Sequence, residues 1–316
     1  MAKPLLTVIT PVYNEQEVIS AFYERTKAVL SLCAEKYDTR ILFVVDRGTD
    51  RTLDILQEIS REDKFVQIVS LSARFGHQMS LLAGIDAAKY SDIIIMMDSD
   101  LQHPPELIPK LITLYEAGND IVFTVRTDTE DAGAFRKYLG NGFYSLLSYF
   151  SNVPINKNSA DFRLISRRVA KLLRTQIRER NLFLRGIFSW IGFNQSSVEY
   201  VATQRFAGSS KYSFPRMVRL ATAGVLSFST KPLLLSITFG VWLAVISFLI
   251  GCFTVADYFI DKAIPTGWTT IVTLLLFFSG IQLIFIGILG VYIGGIYEEV
   301  KGRPHYIIDQ TTNIEP

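Results

Sequence analysis

The first 165 residues alternate short apolar runs with segments whose apolar positions recur at helical spacing. The runs that predict strands are Leu5–Thr10, Arg40–Asp46, Val66–Leu71, Asp92–Asp98 and Asp120–Arg126. Between them, residues 15–35 and 104–117 have the periodicity of helices. Residues 93–97 are apolar at every position, as expected for a strand covered by helices on both faces. The pattern predicts a doubly wound α/β domain with a Rossmann-like, mostly parallel sheet.

Two later stretches, residues 233–253 and 268–292, are apolar and uncharged. Each is long enough to span a bilayer, which takes about 20 residues in a helix; buried helices of a soluble protein are the alternative. The connector between them holds one basic residue, Lys262, whereas the outer flanks hold several: Lys211, Arg216, Arg219, Lys231, Lys301 and Arg303. The positive-inside rule therefore predicts a two-span hairpin with both flanks and both termini in the cytoplasm. The short apolar run near the N-terminus does not make a signal peptide.

These patterns divide the chain into four parts. We expect a cytoplasmic catalytic domain over residues 1–212, interfacial amphipathic helices over 213–232, a transmembrane hairpin over 233–297 and a cytoplasmic tail over 298–316. The interfacial prediction rests on basic and apolar residues that alternate in 213–232. An ordinary surface helix is the alternative there.

Composition changes this picture little. Hydrophobic residues make up 49% of the chain and the net charge is +2, so the charge gives no case for nucleic-acid binding. The two cysteines, Cys33 and Cys252, lie in unlike settings, which argues against a disulfide or a shared metal. Small residues in the second apolar stretch suit close helix packing, either within one hairpin or between copies of the chain in a homo-oligomer; they are Gly287, Gly290, Gly294 and Gly295.

Three predicted strands end in polar sequences, at residues 10–15, 46–50 and 98–102. Each alone is explained by turn and cap preferences. Together they predict a ligand site, because ligands of open α/β sheets bind at the carboxyl ends of the strands. Asp98 and Asp100 follow an apolar strand and offer oxygen ligands, which favours Mg²⁺ or Mn²⁺ shared with substrate phosphates. His103 is interpreted as a loop residue.

The order of four motifs resembles inverting family-2 glycosyltransferases with a GT-A fold: TPVYNE at 10–15, VVDRGTDRT at 44–52, FGHQMSLLAG at 75–84 and MDSDLQHPPELI at 97–108. Three later segments resemble the polyprenyl-phosphate branch of that family, which is related to dolichyl-phosphate mannosyltransferases: residues 160–169, 179–193 and 204–221. The two C-terminal apolar stretches resemble those of the bactoprenol (undecaprenyl-phosphate) glucosyltransferases in that branch.

The resemblance implies a metal-dependent hexosyltransferase of the bacterial inner membrane. It would move glucose from UDP-glucose to undecaprenyl phosphate, for O-antigen modification of lipopolysaccharide or other envelope glycosylation. GDP-mannose, UDP-N-acetylglucosamine, UDP-galactose and a modified arabinose donor stay open as alternatives. A prenyl phosphate is largely a dianion at neutral pH and needs little help from a general base. We therefore expect Asp161 to orient and stabilise first and to act as a base second.

The resemblance also implies roles for individual residues. The catalytic residues would be Asp161, Asp98 and Asp100. The nucleotide-sugar would contact Pro11, Tyr13, Glu15, Asp46, Asp98 and Gln102. The metal would contact Asp98, Asp100 and Gln102. The donor and acceptor phosphates would contact Arg126, Arg136, Arg205, Ser209 and Lys211.

One motif departs from the family pattern, which has two acidic residues after the second strand where this chain has Val45 and Asp46 followed by Arg47. The departure bears on the choice of nucleobase. Two other classes remain alternatives: a processive polysaccharide synthase, and a silent scaffold that recruits partners through the hairpin. The basic stretch around Arg205 and Lys211 suits either a specific phosphate site or general attraction to anionic lipid.

Overall fold

The computed structural model describes residues 3–127, 159–180, 182–201, 231–261 and 267–314. These residues form two compact units. The first holds the chain before the long apolar helices together with the residues from Arg303 onward, and the second holds the long helices themselves.

The first unit contains eight strands and six helices among the described residues. The strands are β1 Leu5–Val12, β2 Asp38–Val45, β3 Val66–Leu71, β4 Ile93–Met96, β5 Ile121–Thr127, β6 Ser159–Ser166, β7 Gln195–Val201 and β8 Ile308–Thr312. The helices are α1 Ile19–Cys33, α2 Thr52–Glu62, α3 His77–Ala87, α4 Ile108–Glu116, α5 Arg167–Thr175 and α6 Leu184–Trp190, with a 3-10 turn at Pro105–Leu107. All five strands expected from the sequence lie on β1 to β5.

The sheet has the order β7-β5-β6-β4-β1-β2-β3-β8. Strands β1 to β4 are parallel neighbours, as the apolar pattern predicted. Strand β6 runs antiparallel to both β4 and β5, and β8 runs antiparallel to β3, so the α/β sheet is mixed. Because β6 is reversed, its first residues lie at the edge where β1 to β4 end. That edge carries the polar strand ends.

Helix α3 packs very closely on the sheet. A Cβ added to Gly84 would lie 2.3 Å from Cγ2 of Ile9 and 3.1 Å from Cγ2 of Val44. Only a hydrogen atom fits there, because core side chains at this density leave no room for a methyl group. The contact fixes the distance of α3 from β1 and β2, and with it the position of His77 at the start of the helix.

The residues after the second long helix rejoin the first unit as strand β8. The amide of Asn313 donates hydrogen bonds of 2.9 Å to the carbonyls of Ser60 and Val66. The Tyr306 hydroxyl donates to the Asp86 carboxylate, which also accepts from Arg178. From the sequence a cytoplasmic tail was expected here, and no strand was predicted.

The second unit consists of α7, Lys231–Asp261, and α8, Trp268–Val300. At 1.5 Å per residue these helices are about 46 and 50 Å long. Windows at Leu233–Ile250 and Phe277–Val300 have mean hydropathies of 2.5 and 2.0, so both helices are long and apolar enough to cross a membrane. The rings of Phe239 and Phe285 meet edge to face at 5.9 Å.

The glycines of α8 do not pack closely within the described part of the hairpin. A Cβ added at any of four positions would meet no described heavy atom within 4 Å; they are Gly287, Gly290, Gly294 and Gly295. Self-association of the chain through these positions stays a prediction.

Candidate functional site

The loops after β1 and β2 are joined side by side at the carboxyl edge of the sheet. Asn14, with a positive φ of 54°, accepts the backbone N–H of Thr49 at 2.9 Å through its side-chain oxygen. A Cβ on Gly48 would lie 2.3 Å from that oxygen, so a larger residue there would push the Asn14 side chain out of this hydrogen bond. The N–H of Gln16 donates to Asp50 at 3.1 Å. These hydrogen bonds hold the two loops together at the carboxyl edge of the sheet.

Asp46 is buried and fixes the loop before α3. Its two carboxylate oxygens accept the backbone N–H groups of Phe75 at 2.7 Å and Gly76 at 2.9 Å. Gly76 has a φ of 91°, which an L side chain rarely adopts. Asp46 therefore positions the start of α3, and its predicted contact with the nucleotide stays a prediction. The adjacent Arg47 donates to the carbonyl of Ser72 at 2.7 Å, so it is anchored rather than fully solvated.

Three residues expected at the nucleotide lie at the end of β1 and in the loop that follows it. Pro11 is buried, and Tyr13 is half-buried with the exposed guanidinium of Arg74 lying 4.0 Å above its ring. The backbone N–H of Glu15 donates to the hydroxyl of Thr52 at 2.9 Å, which ties this loop to α2. A cationic group over a partly exposed aromatic ring is an arrangement that stacks planar ligands.

Strand pairing brings Asp98 and Asp161 together. In the antiparallel pair of β4 and β6, Met96 lies opposite Arg163. Continuing that register by two residues sets Asp161 opposite Asp98. The first residue of α3, His77, lies with its Nε2 2.8 Å from Oδ1 of Asp98. One ligand atom from each of His77, Asp98 and Asp161 lies within 4.8 Å of the others.

Arg185, the second residue of α6, holds the Asp161 carboxylate with both arms of its guanidinium. Its Nε lies 2.7 Å from Oδ1 and its Nη2 lies 2.8 Å from Oδ2. Arg163 is buried, stacks on the Phe188 ring at 4.5 Å and lies 4.0 Å from the same carboxylate. Burial by itself raises the pKa of Asp161, but the hydrogen bonds and charge of Arg185 hold that pKa well below its usual range. Asp161 is therefore a carboxylate with both oxygens engaged.

The His77–Asp98 pair also shifts in its pKa values. Burial lowers the pKa of His77, but the hydrogen bond to Asp98 and the Asp98 and Asp161 charges outweigh it and raise that pKa. Burial raises the pKa of Asp98, but the bond and charge of His77 outweigh it and lower that pKa. His103 lies in a loop, as predicted, yet its ring is buried, stacks on Phe162 at 5.5 Å and accepts the Asp98 backbone N–H at 3.3 Å.

The turn after Asp98 is unusual. Oδ1 of Asp100 accepts the N–H of Gln102 at 3.1 Å, and Leu101 between them is buried with a positive φ of 59°. A bulky residue rarely adopts this backbone conformation, which is found where surrounding structure imposes it. The strained turn fixes the direction of the two aspartates that precede it.

Arg126 lies near the end of β5, opposite Tyr200 of β7, and is exposed. Burial raises the pKa of Tyr200 to about 12; Arg126 opposes the shift, and the charges of Asp98 and Asp100 add to it. All these charges therefore act at one edge of the sheet. The remaining predicted phosphate-binding residues lie outside the described residues: Arg136, Arg205, Ser209 and Lys211. The same holds for most of the predicted interfacial segment, residues 213–230.

The sequence analysis gave no role to His77, Arg185 or Arg163. A signal existed for His77, since it follows the third parallel strand, and the ends of the other three strands had been marked as polar. Arg163 and Arg185 lie in the segments at 160–169 and 179–193 that carry the family resemblance, but the contact of Arg185 with Asp161 joins two elements and could not be read from local sequence.

The donor atoms at this edge fit a hard divalent cation. Asp98 and Asp100 offer carboxylate oxygens, the ligands that Mg²⁺ and Mn²⁺ prefer. Asp161 is close enough to share an ion with Asp98, but both of its oxygens already accept hydrogen bonds from Arg185. A cation bound to Asp161 would be repelled by the guanidinium charge that already contacts both oxygens, so Asp98 and Asp100 fit the ligand role better.

Comparison with known proteins gives one family and full-length relatives. The profile described as Glycosyl transferase family 2 matches residues 7–174. The Bacillus subtilis protein named uncharacterized glycosyltransferase YkcC is 40% identical and covers 98% of this chain and 94% of its own length. The SfII prophage-derived bactoprenol glucosyl transferase of Shigella flexneri is 38% identical and covers 98% and 99%. A prophage bactoprenol glucosyl transferase homolog of Escherichia coli is 38% identical and covers 96% and 98%.

Among solved structures, a mannosyltransferase from Pyrobaculum calidifontis in complex with GDP-Man and Mn²⁺ is similar with a TM-score of 0.50. The alignment covers 72% of this chain and 64% of that one at 15% identity. A likeness at this identity concerns the fold, and it agrees with the mixed sheet described above and with the expected GT-A fold.

Proposed function

This chain belongs to glycosyl transferase family 2, and we propose that it transfers glucose from UDP-glucose to a polyprenyl phosphate with inversion at the anomeric carbon. The relatives named bactoprenol glucosyl transferase support this substrate class, because they align with the chain over almost its whole length. A glucosyl group on a lipid phosphate is the expected product.

The observation that carries the proposal is the state of Asp161. This carboxylate lies opposite Asp98, where an acceptor would approach, and both of its oxygens are held by Arg185. A sugar hydroxyl needs a general base that takes up its proton, and the guanidinium of Arg185 makes Asp161 a weak base because it stabilises the ionised carboxylate. A phosphate monoester is already largely a dianion at neutral pH and needs no such base. The engaged carboxylate thus favours an anionic acceptor.

On the donor side, each residue has a distinct task. Tyr13 and Arg74 offer a stacking surface suited to a nucleobase, and the exposed guanidinium of Arg126 is suited to phosphate oxygens. Asp98 and Asp100 would hold one Mg²⁺ or Mn²⁺ beside Gln102, which would neutralise the donor diphosphate as it leaves.

On the acceptor side, the guanidinium of Arg185 places a positive charge beside Asp161, at the point where the lipid phosphate would enter. Without it, the carboxylates of Asp98 and Asp161 would repel an incoming dianion. Positioning of two anionic groups, rather than proton transfer, is then the main contribution of the chain. Arg136, Arg205, Ser209 and Lys211 are proposed as further phosphate contacts.

The path of the chain supports a hairpin in the bacterial inner membrane. Strand β7 precedes the long apolar helices and β8 follows them, and both strands belong to the same sheet. If α7 and α8 cross a bilayer, the chain must cross it an even number of times. With the basic flanks, this favours a catalytic domain and both termini on the cytoplasmic side.

The test is a transfer assay with full-length protein in detergent or lipid discs. Undecaprenyl phosphate is incubated with UDP-glucose, UDP-galactose, UDP-N-acetylglucosamine or GDP-mannose, with Mn²⁺, Mg²⁺ or EDTA, and lipid products are measured by mass spectrometry. We expect a single hexose on the lipid phosphate from UDP-glucose, abolished by EDTA and in Asp100→Asn.

Other outcomes are equally informative. A product from another donor would keep the reaction class and change the sugar. A ladder of added hexoses would indicate a processive synthase. Binding of a nucleotide-sugar without any lipid product would overturn the proposed acceptor.

A further inference from the structure

A pair of adjacent residues on α3 and another on α6 connect Asp98 to Asp161. On α3, His77 contacts Asp98, and its neighbour Gln78 accepts the backbone N–H of Leu184 at 3.1 Å through Oε1. On α6, Leu184 is followed by Arg185, which holds Asp161. The Gln78 amide nitrogen lies 3.5 Å from Nδ1 of His77.

These contacts link Asp98 through His77, Gln78, Leu184 and Arg185 to Asp161. One carboxylate oxygen of Asp161 in turn lies within 4.8 Å of one of Asp98. We call this set the site ring. Its members come from the loop after β4, from α3, from α6 and from β6. Two aspartates that are 63 positions apart in sequence are thus linked both by strand register and by side chains.

The chemistry of the groups fixes the direction of each bond. A backbone N–H only donates, so the Leu184 N–H turns Oε1 of Gln78 toward itself and leaves the Gln78 NH₂ to face His77. An NH₂ group only donates, so in the neutral imidazole Nδ1 of His77 is the acceptor. An ionised carboxylate only accepts, so Nε2 of His77 carries the hydrogen that faces Asp98. The three hydrogen bonds that run from Leu184 through Gln78 and His77 to Asp98, which we call the relay, therefore all point toward Asp98.

We propose that His77 and Gln78 are positioning residues for the transfer, holding the Asp98 carboxylate in the orientation that the donor diphosphate requires. The proposal deepens the proposed function and rests on its donor side only. Strand register places the backbone of Asp98, whereas the relay selects the rotamer of its side chain. Catalytic geometry is sensitive at this level, since displacements of about 1 Å can cost about a hundredfold in rate.

Gln78 gives the sharpest test because it touches neither aspartate. Gln78→Leu removes the relay behind His77 and keeps a side chain of similar size. Gln67→Leu is the matched control: Gln67 lies in β3 and also makes one buried side-chain bond, of 2.9 Å to the Asn313 carbonyl. At His77, His77→Gln keeps an N–H donor for Asp98, and His77→Leu removes it.

We expect Gln78→Leu to lower kcat about tenfold, equal to about 1.4 kcal/mol, and to raise the KM for the donor but not for the lipid. Gln67→Leu should keep kcat and the KM for the donor. Its melting temperature should fall about as much as that of Gln78→Leu, because each variant loses a side-chain hydrogen bond. His77→Leu should lose more activity than Gln78→Leu, and His77→Gln should recover most of the loss.

A second measurement does not depend on transfer. Affinity for UDP with Mn²⁺, without lipid, is measured by calorimetry for each variant, and should fall severalfold in His77→Leu and Gln78→Leu only. If the intact protein binds UDP but moves no glucose to the lipid, the proposed acceptor fails while this measurement still tests the site ring. Unchanged UDP affinity and unchanged kcat in Gln78→Leu and His77→Leu would overturn the positioning role, as would equal losses in His77→Gln and His77→Leu.

Discussion

The contact between Arg185 and Asp161 supports a quantitative prediction. Replacing Arg185 by glutamine removes both hydrogen bonds and leaves a carboxylate, 12% exposed, without its main cationic partner. Removal of one partner of a fully buried ion pair costs about 3–5 kcal/mol. The Arg185 side chain is 35% exposed, so solvent screening reduces the expected cost to about 2 kcal/mol. Arg185→Lys keeps the charge but not the planar fork, and should cost about half as much.

If that energy holds Asp161 in the geometry of the transition state, a loss of about 2 kcal/mol lowers kcat/KM about thirtyfold in Arg185→Gln. The assay is the lipid-transfer reaction with undecaprenyl phosphate varied, together with thermal unfolding of the same preparations. We expect the KM for the lipid to rise as well, because an incoming dianion would meet an unscreened carboxylate.

Arg25 supplies the control. It pairs with Glu106 through the same two-armed geometry, at 2.7 and 2.9 Å, but the Glu106 side chain is 52% exposed against 12% for Asp161. Arg25→Gln should therefore change stability by less than about 1 kcal/mol and leave the kinetics unchanged. A rise in activity in Arg185→Gln, with an activity that increases toward higher pH, would refute the reasoning, because it would identify Asp161 as a general base that Arg185 restrains.

Three further predictions concern stability, measured by thermal unfolding. Gly84→Ala should destabilise the domain by about 1–3 kcal/mol and lower activity, because the new methyl group overlaps a side chain of β1 and displaces α3. Burial raises the pKa of Asp63, but bonds from Lys27 and Tyr23 outweigh it and lower that pKa. Its stabilisation is thus present above an unfolded pKa of about 4 and lost as the pH falls further, so Asp63→Asn should lower the melting temperature near neutral pH and much less in acid. Asn313→Ala should cost about 1–2 kcal/mol and speed hydrogen exchange in β8, since two backbone carbonyls lose their donor.

The sequence by itself determined the elements whose signals are local. Apolar runs gave β1 to β5, uncharged stretches gave α7 and α8, and the polar residues after β1, β2 and β4 marked the edge of the sheet that carries the site. Asp98 was assigned to that edge as well. These features follow from side-chain spacing and turn chemistry within a few residues, so they can be predicted without knowing which strands pair.

The tertiary structure alone decided how those residues meet. The reversed β6 sets Asp161 opposite Asp98, α6 brings Arg185 to Asp161, and α3 turns His77 toward Asp98. Strand β8 joins β3 across most of the chain length, with Gln67 and Asn313 separated by 246 positions. Pairing at such distances depends on which surfaces fit when the whole chain folds. The periodic pattern of a strand does not specify which other strand it pairs with. For that reason the sequence indicated several of the residues that lie at this edge, but the hydrogen bonds between them emerged only from the fold.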